Sequence, residues 1–404
     1  MTAIIDSGEA PPPRADEAPD FSLVLGGPLY QLLRRSHLTD DALTLVHRRV
    51  VAFVLITWVP LLLLTTLEGR AWRGSVDVPF LLNFEVHARF LLALPLLVVA
   101  ELVVHMRMRR ALTQFIARDL IRPADLPRFH SHIESAMRLR NSLAAELVLV
   151  VLVYGLGIIV QNSVAVDANT WAAAGSASGF TNLSLAGWWH TLISVPIFQF
   201  MLVRWYFRMF IWNRFLWQVS RLELQLVPTH PDRAGGLGFL TNIVYAFAPL
   251  LLAHGALLAG LIADRIFFAG AKLSEFTLEI VAVVGVAVFV VLCPLVVFAG
   301  QLARARRVGL SEYGVLAQRY VREFDTKWVR GVRDPAEPFV GSADVQSLAD
   351  LANSFDVIRT MRSVPFSKET IFQLGVVTLS PLLPLTLTMI SFEELLTRLL
   401  SAVF

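Results

Sequence analysis

Three ionisable residues, Glu101, Glu146 and Arg204, stand inside or at the edge of long apolar runs of this 404-residue chain. A charge near the centre of a bilayer costs at least about 2.5 to 3.5 kcal/mol, so such groups face protein or water and tend to mark paths for ions, protons or charged solutes. Counted along their runs, all three fall in one slab of the membrane, on the side where the arginines gather. A carboxylate and a guanidinium at that depth can line an inner vestibule, form a proton or cation site, or lock the helices together as a static ion pair. For Glu101 the expectation is function. For Arg208, one turn beyond Arg204, it is a side chain reaching out to the interface. His254 lies about one turn past the middle of its run, beside Gly255 and Gly260, and could relay protons or hydrogen-bond across a helix interface.

A second candidate is the segment HPDRAGGLGFL at residues 230–240. Gly235 and Gly236 permit a tight backbone approach, Asp232 with Arg233 and His230 can lock a turn, and amides near a helix start can receive an anion. No Walker lysine follows, so a structured loop leading into the next apolar run is the favoured role.

Enzyme chemistry finds little support. There is no HExxH or GxSxG, and Cys293 is the only cysteine, so no multi-cysteine metal site can form. His130 and His132 are two apart, which puts them on different faces of a helix, and Glu85 with His87 would need partners from elsewhere. No catalytic set, cofactor or metal is expected.

These residues are positioned by apolar helices. Seven runs, at 50–66, 88–106, 143–160, 188–206, 239–262, 278–300 and 371–390, approach the roughly 20 residues that cross a hydrocarbon core. Lipid offers the backbone no partner, so each must be helical. Prolines interrupt six of them, at Pro60, Pro95, Pro196, Pro249, Pro294 and the pair Pro381 and Pro384, each freeing carbonyls that neighbours, water or a ligand must meet. Hydrophobic residues make up 55% of the chain and mean hydropathy is +0.61, far too apolar for a soluble domain of this size.

Basic residues crowd the segment before the first run and the second, fourth and sixth loops, while the alternate loops carry few. Positive charge marks the cytoplasmic side, which places the N-terminus inside and the C-terminus outside. A re-entrant last segment, which its two prolines permit, would leave six crossings. The near absence of lysine beside abundant arginine suggests a bacterial inner membrane. The formal net charge of +3 arises from arginines that set topology, so the expected partners are the lipid bilayer and, in an oligomer, further copies of the chain, with no nucleic acid.

Residues 1–20 are acidic and proline-rich, as in a disordered cytoplasmic tail, and the remainder forms one membrane domain. Helical cytoplasmic hairpins are expected at 107–142 and 301–370, with Ser342 and Ser367 placed to cap helices, and an amphipathic helix at 392–404. HPDRAGGLGFL, the stretch GSADVQSLADLANSFDVIRTMRSVPFSKETI at 341–371 and the ending SPLLPLTLTMISFEELLTRLL at 380–400 resemble a group of uncharacterised bacterial multi-span membrane proteins. That resemblance implies a shared architecture and supplies no catalytic residues.

The expectation is therefore an all-α polytopic bundle acting as a channel or transporter for an ion or small solute. The alternatives are a membrane scaffold or sensor working through its cytoplasmic hairpins and, behind both, an intramembrane enzyme.

Overall fold

The structure, a computed structural model, describes residues 22–28, 31, 45–72, 74, 76–163, 170–173, 183–332 and 341–389. The expected acidic tail, the amphipathic helix at 392–404 and most of the long loop after residue 163 lie outside the described residues.

Ten helices carry the architecture described below: α1 (Val46–Leu67), α2 (Phe84–Ala117), α3 (Leu126–Arg140), α4 (Leu143–Ser163), α5 (Leu185–Val219), α6 (Phe239–Ala269), α7 (Leu273–Val296), α8 (Ala299–Phe324), α9 (Ala343–Arg359) and α10 (Lys368–Leu379). Among the described residues there is no extended strand. Against the seven crossings read from the sequence, five helices are long and apolar enough to cross a membrane: α1, α2, α5, α6 and α7. The protein is thus an all-helical membrane protein, with exposed apolar side chains such as Leu63, Val281 and Phe289 on outward faces where acyl chains would lie.

Two expected spans fall short for different reasons. α4 is helical over 21 residues, and its side chains are described only as far as Gly155. The last run is a helix of 12 residues, α10, which tightens into a 3-10 turn at Ser380–Leu382 where Pro381 enters, and continues through Leu383–Thr386. This broken segment runs alongside α6 in the same direction. Tyr245 donates a 2.5 Å hydrogen bond to Gln373, Gly255 presses its backbone against Thr378 and Pro381, and Leu382 and Leu385 share a cluster with Leu258 and Ile262.

At Pro60, Pro95 and Pro196 the break is absorbed rather than left open. In α2 and α5 a π-helical segment, Ala88–Ala93 and His190–Ser194, precedes Pro95 and Pro196 and widens the turn where the ring would clash. Four residues before Pro60, the carbonyl of Ile56 accepts from Trp189 Nε1 at 3.1 Å. Four before Pro196, the carbonyl of Leu192 accepts from the Tyr154 hydroxyl at 3.3 Å. At these two sites neighbouring side chains, not a ligand, meet the freed carbonyl.

α6 is the most buried of the five membrane helices and packs against α2, α7 and α10. α5 lies against α3, α4 and α7, and also touches α2. Outside this core, α8 and α9 pair as a hairpin, with Ser342 accepting from the Asp344 amide at the start of α9 and Ser367 forming a capping box with Thr370 at the start of α10.

Candidate functional site

Burial of charge is where this bundle departs from an ordinary apolar core. Glu101 of α2 is 2% exposed, and three guanidinium groups close on it. Arg208 Nη1 lies 2.7 Å from Oε1 and Arg204 Nη1 3.5 Å from the same oxygen, both from α5, while Arg49 of α1 pairs with Oε2. Arg204 reaches on to Glu146 of α4, with Nη2 3.4 Å from Oε1. One knot of charge therefore ties four helices at a single depth. Glu101, Glu146 and Arg204, singled out in the sequence, meet here. Arg208 does not reach outward; it is 3% exposed and stacks its guanidinium 5.0 Å from the Trp205 ring. Trp205 is itself anchored by a 2.9 Å bond from Nε1 to the Leu97 carbonyl.

Two members were missed. Arg49 and Arg140 sit among the arginines that set topology, and nothing in their spacing separates them from exposed neighbours such as Arg48 and Arg138. Arg140, the last residue of α3, stands at the rim of the knot. Burial first, and the charge of Arg208 second, push its guanidinium down to about 10, so it remains charged at neutral pH.

The N-terminal segment 22–28 closes the knot from the arginine-rich end. Arg140 donates to the Ser22 carbonyl, the Ser22 hydroxyl lies 2.8 Å from Nδ1 of His105, and Leu23 and Val24 are each 1% exposed. Gly27 adopts φ +86°, and a Cβ there would stand 3.0 Å from Glu146 Oε1 and 3.7 Å from Arg204 Nη2. A bare backbone is what allows the segment to lie directly on the charges. Among the described residues, three buried guanidiniums face two carboxylates, with Arg140 behind them. Both oxygens of Glu101 already face arginines, so it does not present a bare carboxylate to a cation.

His254 stands apart from the knot. Its Nδ1 is 2.7 Å from the Leu250 carbonyl, which can only accept; Nδ1 therefore carries the proton, and Nε2 accepts from the Tyr206 hydroxyl at 2.5 Å. The pair bonds across the α5–α6 interface and lines an apolar cavity of about 320 Å³ together with Met209, Leu251 and Val286.

The 230–240 loop is held by its own aspartate. Asp232 Oδ1 accepts from the amides of Ala234 at 2.8 Å and Gly236 at 3.2 Å, and Oδ2 accepts from Gly238 at 2.8 Å. Burial raises the Asp232 carboxyl, but these three amides and the nearby His230 outweigh it and hold the group below the usual carboxylate value. Arg233, Gly235 and Gly236 take positive φ to bring the amides round. Arg362 then fastens the loop, donating from its amide to the Arg233 carbonyl at 2.8 Å and from Nη2 to the Asp232 carbonyl at 2.6 Å. These three amides are committed to Asp232.

His87 is engaged structurally. His87 accepts from Trp58 Nε1 at 3.0 Å through Nδ1 and lies 3.2 Å from the Leu81 carbonyl through Nε2, while Glu85 pairs with Arg89. No group of three or more His, Cys, Asp or Glu that could hold a metal occurs among the described residues. Compared with protein-family models, with curated proteins and with solved structures, the chain matches none of them.

Proposed function

We propose that this protein is a channel or transporter for a small ion and that the ion is an anion. The observation that carries this reading is the gathering of buried guanidiniums, Arg49, Arg204 and Arg208, around Glu101 and Glu146 with Arg140 at the rim, which among the described residues outnumber the carboxylates. Burying ions costs several kcal/mol each, and a bundle held only for stability is served as well or better by apolar packing. A positive excess within the membrane is relieved by an anion that enters it, and guanidinium groups bind oxyanions and halides through directed N–H donors. With residues 22–28 seated on the charges, the pathway is in its closed state.

The same reading takes seven crossings, with α4 as the third and the broken segment beginning at α10 as the last. The course of that segment beside α6, from Tyr245 to the cluster that holds Leu258 and Ile262, favours a full crossing over a re-entrant loop. The arginine-rich end is then cytoplasmic, the C-terminus is on the far side, and the membrane is a bacterial inner membrane. A scaffold role is the second reading. It rests on the α8–α9 hairpin, which leaves Val308, Val315, Leu316 and Val321 exposed.

The test is ion efflux from vesicles containing the purified protein, with chloride, nitrate, sulfate and phosphate set against potassium and protons. Flux of one or more of the anions in excess of the cations supports the proposal. Cation or proton flux alone overturns its selectivity, and no flux of any of them favours the scaffold.

A further inference from the structure

A cavity of about 770 Å³ opens between the arginine-rich end of α2 and the start of α6, and its chemistry is distinct from that of the buried knot. One wall is a stripe of α2 bearing Arg107, Arg110, Gln114 and Arg118, spaced so that all project from one helix face. The facing wall carries Asn242, and the floor is apolar, with Ile243 buried beneath. No carboxylate lines the cavity, and among the described residues none pairs with Arg107, Arg110 or Arg118. The polar contacts of these arginines are to neutral acceptors. Arg107 reaches the Asn242 carbonyl at 3.3 Å, and Arg118 reaches the Gly236 carbonyl at 3.0 Å and Gln114 at 2.8 Å.

Depth decides what such a site would meet. Arg107 is six residues beyond Glu101, about 9 Å further along the helix, and Arg118 about 25 Å further, so the cavity begins where the hydrocarbon ends. We propose that it is a binding site for the phosphate headgroup of an anionic phospholipid. Arg107 and Arg110 hold the phosphoryl oxygens, Gln114 and Asn242 meet its polar ester region, and the apolar floor receives the first methylenes of the acyl chains. Basic pockets between membrane helices take anionic headgroups for this reason: the guanidinium charge is matched while the chains stay in apolar surroundings.

The experiment compares the full chain with R107Q/R110Q, R107K/R110K and, as a control elsewhere at the same end, R304Q/R307Q, where both arginines are exposed on α8. Each is purified in detergent and titrated with phosphatidylglycerol or phosphatidylcholine, reading retained lipid by native mass spectrometry and the shift in melting temperature. The site predicts that phosphatidylglycerol is retained and raises the melting temperature, that phosphatidylcholine does neither, and that R107Q/R110Q lowers phosphatidylglycerol affinity about thirtyfold. R107K/R110K should retain most of that affinity, which also shows that the pair can be altered without unfolding the protein. The control should bind as the unmodified chain does. Unchanged affinity in R107Q/R110Q, or an equal loss in the control, overturns the site. Displacement of the lipid by millimolar inorganic phosphate would assign the cavity to the free anion and overturn the lipid assignment.

Discussion

Glu101 and Arg208, on different helices and 107 positions apart, meet at 2.7 Å with each side chain 3% exposed. The contact is one arm of a knot in which, among the described residues, three guanidiniums converge on Glu101, and that makes the two partners unequal. Replacing Glu101 by Gln leaves Arg49, Arg204 and Arg208 without their shared carboxylate, an uncompensated burial that typically costs about 3 to 5 kcal/mol. Replacing Arg208 by Gln leaves Glu101 still paired with Arg49 and Arg204, so it should cost less. Melting in detergent should rank E101Q below R208Q, with the double variant less damaged than the sum of the two. Additive losses, or R208Q as the weaker protein, would contradict this account of the knot.

Gly27 lies over Glu146 and Arg204. A valine there requires both a strained φ and room that Glu146 and Arg204 occupy. Gly27→Val should therefore lift residues 22–28 off the knot. A cysteine at Leu23, buried at 1% exposure, should label slowly in the parent and much faster in the Gly27→Val background, in variants lacking Cys293. Equal labelling rates would show that the segment is not held by this contact.

Asp232 offers a pH test. Its folded-state value lies below the ordinary carboxylate value of 3.8, so the deprotonated form stabilises the fold. That contribution is fully present above the unfolded value and is lost as pH falls through the lower folded one. The parent should keep its melting temperature down to the region of pH 4 and lose part of it below. D232N should melt lower at pH 7, by about 1 to 3 kcal/mol for three weakened amide bonds, and the gap should narrow in acid. A constant gap across the range would assign the loss to something other than the charge.

Topology is tested by two exposed serines, Ser274 at the start of α7 and Ser311 in α8 beyond its end. Cysteines at Ser274 and Ser311 of a variant lacking Cys293 should react with an impermeant reagent from opposite sides of the membrane, Ser274 from outside intact cells and Ser311 only after lysis. Reaction of both from outside would overturn the orientation.

Much of this was legible in the sequence because the bilayer imposes simple rules. The apolar runs around residues 50, 88, 188, 239 and 278 each correspond to a helix that begins within a few residues of the expected position. Glu101, Glu146 and Arg204 could be placed at one depth by counting residues. Their partners could not, since which arginine turns inward depends on how α1, α3 and α5 rotate against α2. Arg49 carries the same sequence signature as Arg48, yet only the former is buried. Pro95 and Pro196 mark breaks in the sequence, but not that a π-helical turn widens to take up each ring.

Anion flux through reconstituted vesicles, compared between the parent and Gly27→Val, tests the central claim most directly. If the arginine-rich knot is an anion pathway closed by residues 22–28, Gly27→Val should pass anions faster than the parent, and R204Q placed in that background should reduce the flux or its selectivity over cations. If the protein stays folded and neither form passes any anion under an imposed gradient, the knot is a structural tie and the pathway reading is wrong.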